Sequence, residues 1–142
     1  MRSIGVLVVL MSLSVYASAE EPQRVEYGKK SELRGVKTIF INSGVNLEFR
    51  ENAIDLLNKE LPGVKVADKD LDAEIQLQVD IVGSDRKHGH ARMLVLGRVT
   101  EPGVAHIIAK YEDEKSSMWT RKLSTVLMRR FIHDYEEANR PK

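Results

Sequence analysis

The chain has 142 residues, of which 22 are Lys or Arg, 21 are Asp or Glu and none is Cys. Hydrophobic residues make up 42% and charged residues 30%, the ordinary balance of a single globular domain. Without cysteine the chain forms no disulfide, thiolate metal site, thiol nucleophile or lipid-modified cysteine anchor. The balanced charge creates no global field toward nucleic acid or anionic lipid, so we expect no nucleic-acid partner.

The first nineteen residues have the order of a secretory signal peptide. Arg2 supplies a positive charge, residues 4–15 are mostly apolar, and residues 17–19 form the A-x-A cleavage site Ala-Ser-Ala. The apolar stretch is shorter than the roughly 20 residues that a spanning helix needs. We predict that residues 1–19 are removed and that a periplasmic or secreted protein without a membrane span begins at Glu20. Removal takes away one basic and no acidic residue, which leaves 21 of each and a net charge of zero.

Apolar periodicity predicts a single domain over residues 36–138, preceded by an exposed leader at residues 20–35. The clearest pattern lies at residues 73–81, where five apolar residues alternate with four polar ones, as in a half-buried strand. Asn46 is the predicted cap of a helix that Pro62 ends. We predict strands at residues 36–41, 64–66, 73–81, 91–99 and 104–111, the first helix between the first two of these, and a charged linker at residues 112–117 before a long final helix.

The predicted order is therefore β-α-β-β-β-β-α. The last three strands are joined by short connections, which is typical of an antiparallel meander. Two helices with one apolar stripe each pack most economically on one face of a single sheet. The sequence predicts an α+β fold, a two-layer α/β sandwich with a mixed sheet and both helices on one face.

Two segments carry a resemblance to a known group of proteins. Gly35-Val36-Lys37-Thr38-Ile39-Phe40-Ile41 precedes a helix, and Asp72-Ala73-Glu74-Ile75-Gln76-Leu77 opens a long strand. With the signal peptide and the element order, residues 33–138 resemble small bacterial envelope modules, namely the α/β domain of the curli-secretion lipoprotein and related penicillin-binding-protein activators. The resemblance implies a non-catalytic envelope module that binds a partner or assembles with its own copies. The lipid-anchoring cysteine of the lipoprotein members is missing here.

His88 and His90 have the one metal-like spacing in the chain. Residues i and i+2 of a strand point to the same side, and Asp85 lies in the same loop. Zinc needs three or four ligands, and Arg86 and Lys87 raise the electrostatic cost of a cation. We interpret the segment as a polar hairpin loop and predict that the protein binds no metal and no cofactor. If a metal is bound, His88 and His90 are the candidate ligands.

Ser43 and Gly44 lie between the first strand and the first helix, where open α/β sheets often bind ligands. Amide groups at the helix start could hold an anion, although a plain strand-to-helix turn explains the same residues. The chain has no Gly-x-Gly-x-x-Gly, no Walker sequence and no Gly-x-Ser-x-Gly. We therefore predict that the protein is not an enzyme.

The predicted meander leaves apolar residues on the sheet face opposite the helices. If the turn at residues 101–103 keeps an even loop, the side chains of Leu94 and Leu96 share the helix side with Ile107 and Ala109. The opposite side then carries the expected partner surface, which consists of Met93, Val95, Val99, Val104 and Ile108. A wet sheet face is normally polar, so five aliphatic residues there indicate a covered surface. The alternatives are a one-residue bulge that turns this set inward, or cover by the leader.

The sequence thus favours a non-catalytic, exported module that binds an envelope protein or self-associates through its outer sheet face. The alternative function is small-ligand or metal binding, at His88 and His90 or at Ser43 and Gly44.

Overall fold

A computed structural model describes residues 24–44, 46–82, 88–98, 101–116 and 120–141. The predicted signal peptide lies outside the described residues. The strands are β1 (Arg24–Tyr27), β2 (Thr38–Asn42), β3 (Lys65–Val66), β4 (Ile75–Val82), β5 (His88–Gly97) and β6 (Val104–Ser116), and the helices are α1 (Leu47–Glu60) and α2 (Thr120–Ala138). Short 3-10 turns occupy Lys30–Leu33 and Asp70–Asp72.

The described strands form one mixed sheet in the order β1-β6-β5-β4-β2-β3. Strands β4, β5 and β6 form an antiparallel meander. Strand β2 is parallel to β3 and β4, and β1 is parallel to β6. The predicted α+β class, the order β-α-β-β-β-β-α and the two helices are confirmed, and β1 is an additional strand at the front.

Helix α1 begins where the sequence predicts. The Oδ1 atom of Asn46 accepts a hydrogen bond of 2.9 Å from the backbone N–H of Phe49, which satisfies one of the free donors of the first turn. Phe49, Ala53 and Leu57 form its buried stripe. Pro62 follows the last turn and cannot continue the helix.

Helix α2 supplies most of the helical part of the core. Its buried residues recur at spacings of three and four, which places them on one side of the helix. They are Leu123, Leu127, Met128, Phe131, Ile132 and Tyr135, together with the small polar Ser124. Buried Asn52 of α1 donates hydrogen bonds to Ser124 and, at 3.0 Å, to Thr125, so a polar contact also joins the two helices.

Both helices pack against one face of the sheet, which we call the inner face. Leu77 of β4 lies opposite Val95 of β5, and Val95 lies opposite Ala109 of β6. All three are buried in the same core cluster as Leu127 and Phe131. The other face, which we call the outer face, carries the alternate residues of each strand.

The segment predicted as an exposed leader takes part in the fold. Arg24–Tyr27 pairs with the start of β6, although all four of its side chains are exposed. Leu33, at the end of the following turn, is fully buried. The described domain therefore starts at least twelve residues before the predicted boundary at residue 36. Similarly, residues 112–116 of the predicted linker extend β6.

A β-bulge in β6 changes which residues face the helices. Val95 lies opposite Ala109, but the next residue, Leu96, lies opposite Ile107. Ile108 is therefore the extra residue in β6, and the alternation of side chains reverses on its two sides. Ala109 and Ile108 both belong to the core cluster, whereas Ile107 lies in the outer face.

Candidate functional site

The outer face has a row of large side chains that runs across the sheet. Residues directly opposite each other in neighbouring strands share a face. Gln76 lies between Phe40 of β2 and Leu96 of β5. Leu96 in turn lies opposite Ile107, and Ile107 lies opposite Tyr27 of β1. Four of these five residues are apolar or aromatic.

Two neighbours enlarge the row. Leu94 lies between Gln78 and Lys110, and Val25 lies two residues before Tyr27 on the same side of β1. We use the name outer apolar surface for Val25, Tyr27, Leu94, Leu96 and Ile107. Tyr27 is 79% exposed and Val25 is 42% exposed, while the other three are half-buried. Neither described helix packs on this face.

A shallow cavity lies within the outer apolar surface. Its volume is about 310 Å³, and Tyr27, Leu94 and Ile107 line it together with the side chains of Arg92 and Lys110. Ile108 and Ala109, at the bulge, also line it. The cavity gives an otherwise flat sheet face a place where a protruding side chain can be seated.

A charged rim of both signs borders the outer apolar surface. Arg92 donates to Asp80 at 3.0 Å, and Glu112 contacts Lys110 at 2.9 Å and His90 at 3.3 Å. The hydrogen bonds from Lys110 and then His90 lower the pKa of the exposed Glu112 carboxyl. Acidic and basic groups thus alternate at this end of the face.

The predicted partner surface is wrong in most of its residues. Met93 and Val95 are fully buried on the inner face, and Ile108 is 6% exposed in the core cluster. Val104 is half-buried and Val99 lies outside the described residues. Residues 93–96 are all apolar, so alternation alone does not tell which face of β5 is buried; the pairing of Val95 with Leu77 decides it. The bulge accounts for Ile108, as the alternative interpretation anticipated.

On the inner face, His106 of β6 contacts two elements of the segment that was predicted as a leader. Its Nδ1 atom lies 2.8 Å from Glu26 Oε1 in β1, and its Nε2 atom lies 2.7 Å from Glu32 Oε1 in the following 3-10 turn. The imidazole also lies against glycine backbone, since a Cβ atom added to Gly97 would stand 2.7 Å from His106 Cδ2. We call Glu26, Glu32 and His106 the His106 cluster.

The contacts of the cluster favour the charged form of the histidine. Ionised carboxylates only accept hydrogen bonds, so both ring nitrogens donate to them only when the ring is the imidazolium. The hydrogen bond to Glu32, then that to Glu26, raises the pKa of His106 above 6.5 against the opposing effect of burial. The Lys29 backbone N–H, which donates to Glu32 at 2.7 Å, lowers the pKa of Glu32, and His106 adds to this effect.

An open groove of about 400 Å³ adjoins the His106 cluster. Arg34, Glu74 and Arg98 line its other sides. Glu74 accepts hydrogen bonds from the Lys37 backbone N–H and the Thr38 hydroxyl, and Arg98 donates to the Ala73 carbonyl at 3.2 Å. Glu74 and Arg98 therefore connect the ends of β2, β4 and β5. These contacts account for the positions of both side chains without a bound ligand.

The histidine pair of the predicted hairpin loop is not assembled into a metal centre by the described residues. His90 contacts Glu112 across the sheet, and the side chain of His88 lies outside the described part of the structure. Across the described ranges, no group of three His, Asp or Glu side chains is placed to hold a metal ion.

Ser43 and Gly44 make the turn that leads into α1. The Ser43 hydroxyl donates to the Asn46 carbonyl at 2.8 Å, and the Gly44 N–H donates to the Asn42 side chain at 3.3 Å. Gly44 has φ +59°, a conformation that glycine adopts easily. The Ser43 hydroxyl and the Gly44 N–H thus have partners within the chain.

The outer apolar surface and the His106 cluster were both missed at the sequence level. Alternation in Arg24-Val25-Glu26-Tyr27, just before Gly28, is a short strand signal that could have revealed β1. The His106 cluster left no such signal, because Glu26 and Glu32 lie 80 and 74 residues from His106 in the chain.

Comparisons with known proteins find similarity among solved structures only. No protein-family model matches the chain, and no curated protein matches it. Among solved structures, it is similar to a PelC variant from Paraburkholderia phytofirmans, solved as a dodecamer, with a TM-score of 0.48 and 11% identity over 83% of this chain and 95% of that one. A similarity at this level does not define a function. Neither described helix is long and apolar enough to cross a membrane.

Proposed function

We propose that this protein is a non-catalytic, exported module that self-associates through its outer apolar surface. The observation that supports the proposal is the row from Leu96 through Ile107 to Tyr27, on the face that neither described helix covers. An exposed apolar row of this kind is stabilised when a second molecule removes it from water.

The length of the remaining chain favours a second molecule over the protein's own leader. If the signal peptide is removed as predicted, only residues 20–23 precede β1, and they read Glu-Glu-Pro-Gln. Four extended residues span at most about 14 Å, roughly the distance across three strand spacings. This short polar segment has no large apolar side chain with which to cover the outer apolar surface.

The charges of the surface favour a second copy as that molecule. In a two-fold interface each residue of one copy meets a residue of the same patch on the other copy. A rim that contains Asp80 and Glu112 beside Arg92 and Lys110 is able to pair opposite charges in such an arrangement. The predicted mature chain has a net charge of zero, so long-range repulsion between copies is small.

The size of the surface predicts a weak association. Three strands about 4.8 Å apart and about six residues long cover on the order of 300 Å² on each copy. Stable complexes bury about 800 Å² on each partner, and smaller interfaces are usually transient. We therefore expect a dissociation constant in the micromolar range or above.

Sedimentation velocity of the mature protein, from about 10 µM to about 1 mM, tests the proposal. The expected result is a mass that rises with concentration. Leu96→Lys and Ile107→Lys are expected to fold, because a lysine there stays hydrated, and to remain monomeric at every concentration.

The matched control is Leu47→Lys, because Leu47 is 64% exposed but lies at the start of α1, in the helix layer. It is expected to associate like the unmodified protein. A monomeric mass for the unmodified protein throughout the series would contradict self-association, and equal loss of association in Leu47→Lys would show that the outer apolar surface is not the interface.

A further inference from the structure

Strand β1 carries the most exposed part of the outer apolar surface and, as an edge strand, pairs with β6 on one side. Its ends are attached by backbone hydrogen bonds, from Arg24 N–H to the Gly103 carbonyl at 3.0 Å and from Gly28 N–H to the Ile107 carbonyl at 2.7 Å. The side-chain ion pair between Arg24 and Glu101 is exposed, and such pairs contribute little. In the part of the chain that the structure describes, a second side-chain contact of β1 joins Glu26 to His106.

Glu26 connects the outer apolar surface with the His106 cluster. It lies between Val25 and Tyr27 in β1, so its side chain points to the inner face while theirs point outward. Glu32, the second partner of His106, lies in the turn that follows β1. When it is protonated, His106 of β6 therefore donates hydrogen bonds both to β1, which carries Tyr27, and to the 3-10 turn that follows β1.

We propose that protonation of His106 controls self-association through the outer apolar surface. This inference rests on the proposed function. A neutral imidazole has one N–H donor and one acceptor nitrogen. When His106 loses its proton, either Glu26 or Glu32 faces a ring lone pair instead of a donor, the attachment of β1 loosens, and Val25 and Tyr27 are no longer held in the plane of the sheet.

The groups around the cluster set the direction of the effect. Glu26 and Glu32 contact the ring directly and favour the imidazolium, while burial opposes it. The cationic side chains nearby are Arg34 and Arg98, which line the same groove, and Lys29, which acts on Glu32. Glu74 lines the same groove with its carboxylate held by backbone and hydroxyl donors. The raised pKa of His106 shows that the two direct contacts prevail. Association is therefore full below pH 6.5 and declines as the pH rises through the raised pKa.

The first experiment measures the dissociation constant of the mature protein between about pH 5.5 and about pH 8.5, which brackets ordinary histidine titration. We expect association to weaken about tenfold across this range, the scale of one charge-assisted hydrogen bond. His106→Gln, which donates to one carboxylate only, is expected to associate weakly and equally at all pH values. Glu26→Gln, a second variant with the histidine intact, is expected to reduce the pH dependence.

Two histidine variants are matched controls. His133→Gln changes an exposed residue of α2, in the helix layer, and is expected to keep the full pH dependence. His90→Gln changes a rim residue of the outer face that contacts Glu112, and is the rival source of any pH effect. A pH dependence that persists in His106→Gln and disappears in His90→Gln would overturn the inference.

A second experiment separates this inference from the proposed function. In the monomeric variant Leu96→Lys, hydrogen exchange of the amides of residues 24–28, corrected for the intrinsic pH effect, is expected to accelerate about tenfold between the same pH limits. Unchanged protection there, or association that does not vary with pH, overturns the role of His106 and leaves self-association standing. If the mature protein does not associate at any pH but the protection of residues 24–28 still varies with pH, the proposed function is overturned. Control of association by His106 is then overturned with it.

Discussion

The hydroxyl of Tyr135, near the end of α2, donates a hydrogen bond of 2.6 Å to the backbone carbonyl of Val36, 99 residues earlier in the chain. Both residues are buried, and burial raises the pKa of Tyr135, so the hydroxyl stays a donor at neutral pH. We expect Tyr135→Phe to lower the free energy of unfolding by about 1–2 kcal/mol, because a buried carbonyl loses its partner. For a domain of this size the melting temperature should fall by about 4–8 °C.

Tyr27→Phe is the control for this measurement. The Tyr27 side chain is 79% exposed, so loss of its hydroxyl should change the free energy of unfolding by less than about 0.5 kcal/mol. Thermal denaturation followed by circular dichroism compares the two variants. Equal melting temperatures for Tyr135→Phe and Tyr27→Phe would show that the Tyr135 hydroxyl does not hold the segment before β2.

Neighbouring residues of β5 test the assignment of its two faces. Val95 is fully buried and Leu94 is half-buried on the outer face. Val95→Ala should cost about 2 kcal/mol, because it leaves a cavity in the core. Leu94→Ala removes more atoms from a half-exposed site and should cost less than about 1 kcal/mol. Urea denaturation gives both values, and the reverse order would restore the face assignment predicted from the sequence.

The parts of the fold that were predictable depend on short-range patterns. The alternation around Leu77 identified both the strand and its buried face, and Asn46 with Pro62 bounded α1. Strand β5 was predicted, but its side chains were assigned to the wrong faces of the sheet, because apolar residues occupy both faces. A bulge such as that at Ile108 depends on the neighbouring strand and has no signature in a run of apolar residues.

The His106 cluster belongs to the part of the structure that short-range patterns do not encode. Glu26 and Glu32 occur in a charged segment that reads as solvated leader, and His106 occurs in a strand far along the chain. Only the parallel pairing of β1 with β6 brings Glu26 opposite His106. Predicting the cluster therefore requires the sheet order, which the local sequence does not provide.

The same cluster predicts how stability depends on pH. The pKa of Glu32 is lowered, so its contribution is present above about pH 4.5 and is lost as the pH falls through the lowered value. The pKa of His106 is raised, so its contribution is present below 6.5 and is lost as the pH rises through the raised value. Urea unfolding should show a contribution that is largest between these limits, and the difference between the unmodified protein and His106→Gln should vanish at both ends. A difference that is constant with pH would contradict the cluster.

The predicted export has its own test. Material from the cell envelope should have the mass of a chain that begins at Glu20, because residues 17–19 form a signal-peptidase site. Intact mass spectrometry distinguishes this from a chain that retains residues 1–19. A retained N-terminus would also supply an apolar segment able to cover the outer apolar surface, so the same measurement bears on self-association.

Two glycines provide a matched test of the geometry around His106. A Cβ atom at Gly97 would stand 2.7 Å from His106 Cδ2, in the ring that bridges Glu26 and Glu32. Gly97→Ala should therefore displace the ring and cost about 1–3 kcal/mol, the usual range for overpacking. At Gly63 an added Cβ meets nothing within 4 Å, so Gly63→Ala should be neutral or stabilise by up to about 1 kcal/mol through the unfolded state. Chemical denaturation of both variants, together with the histidine titration followed by NMR, checks the prediction. If Gly97→Ala were as stable as Gly63→Ala and left the His106 titration unchanged, the ring would not lie against the strand as described.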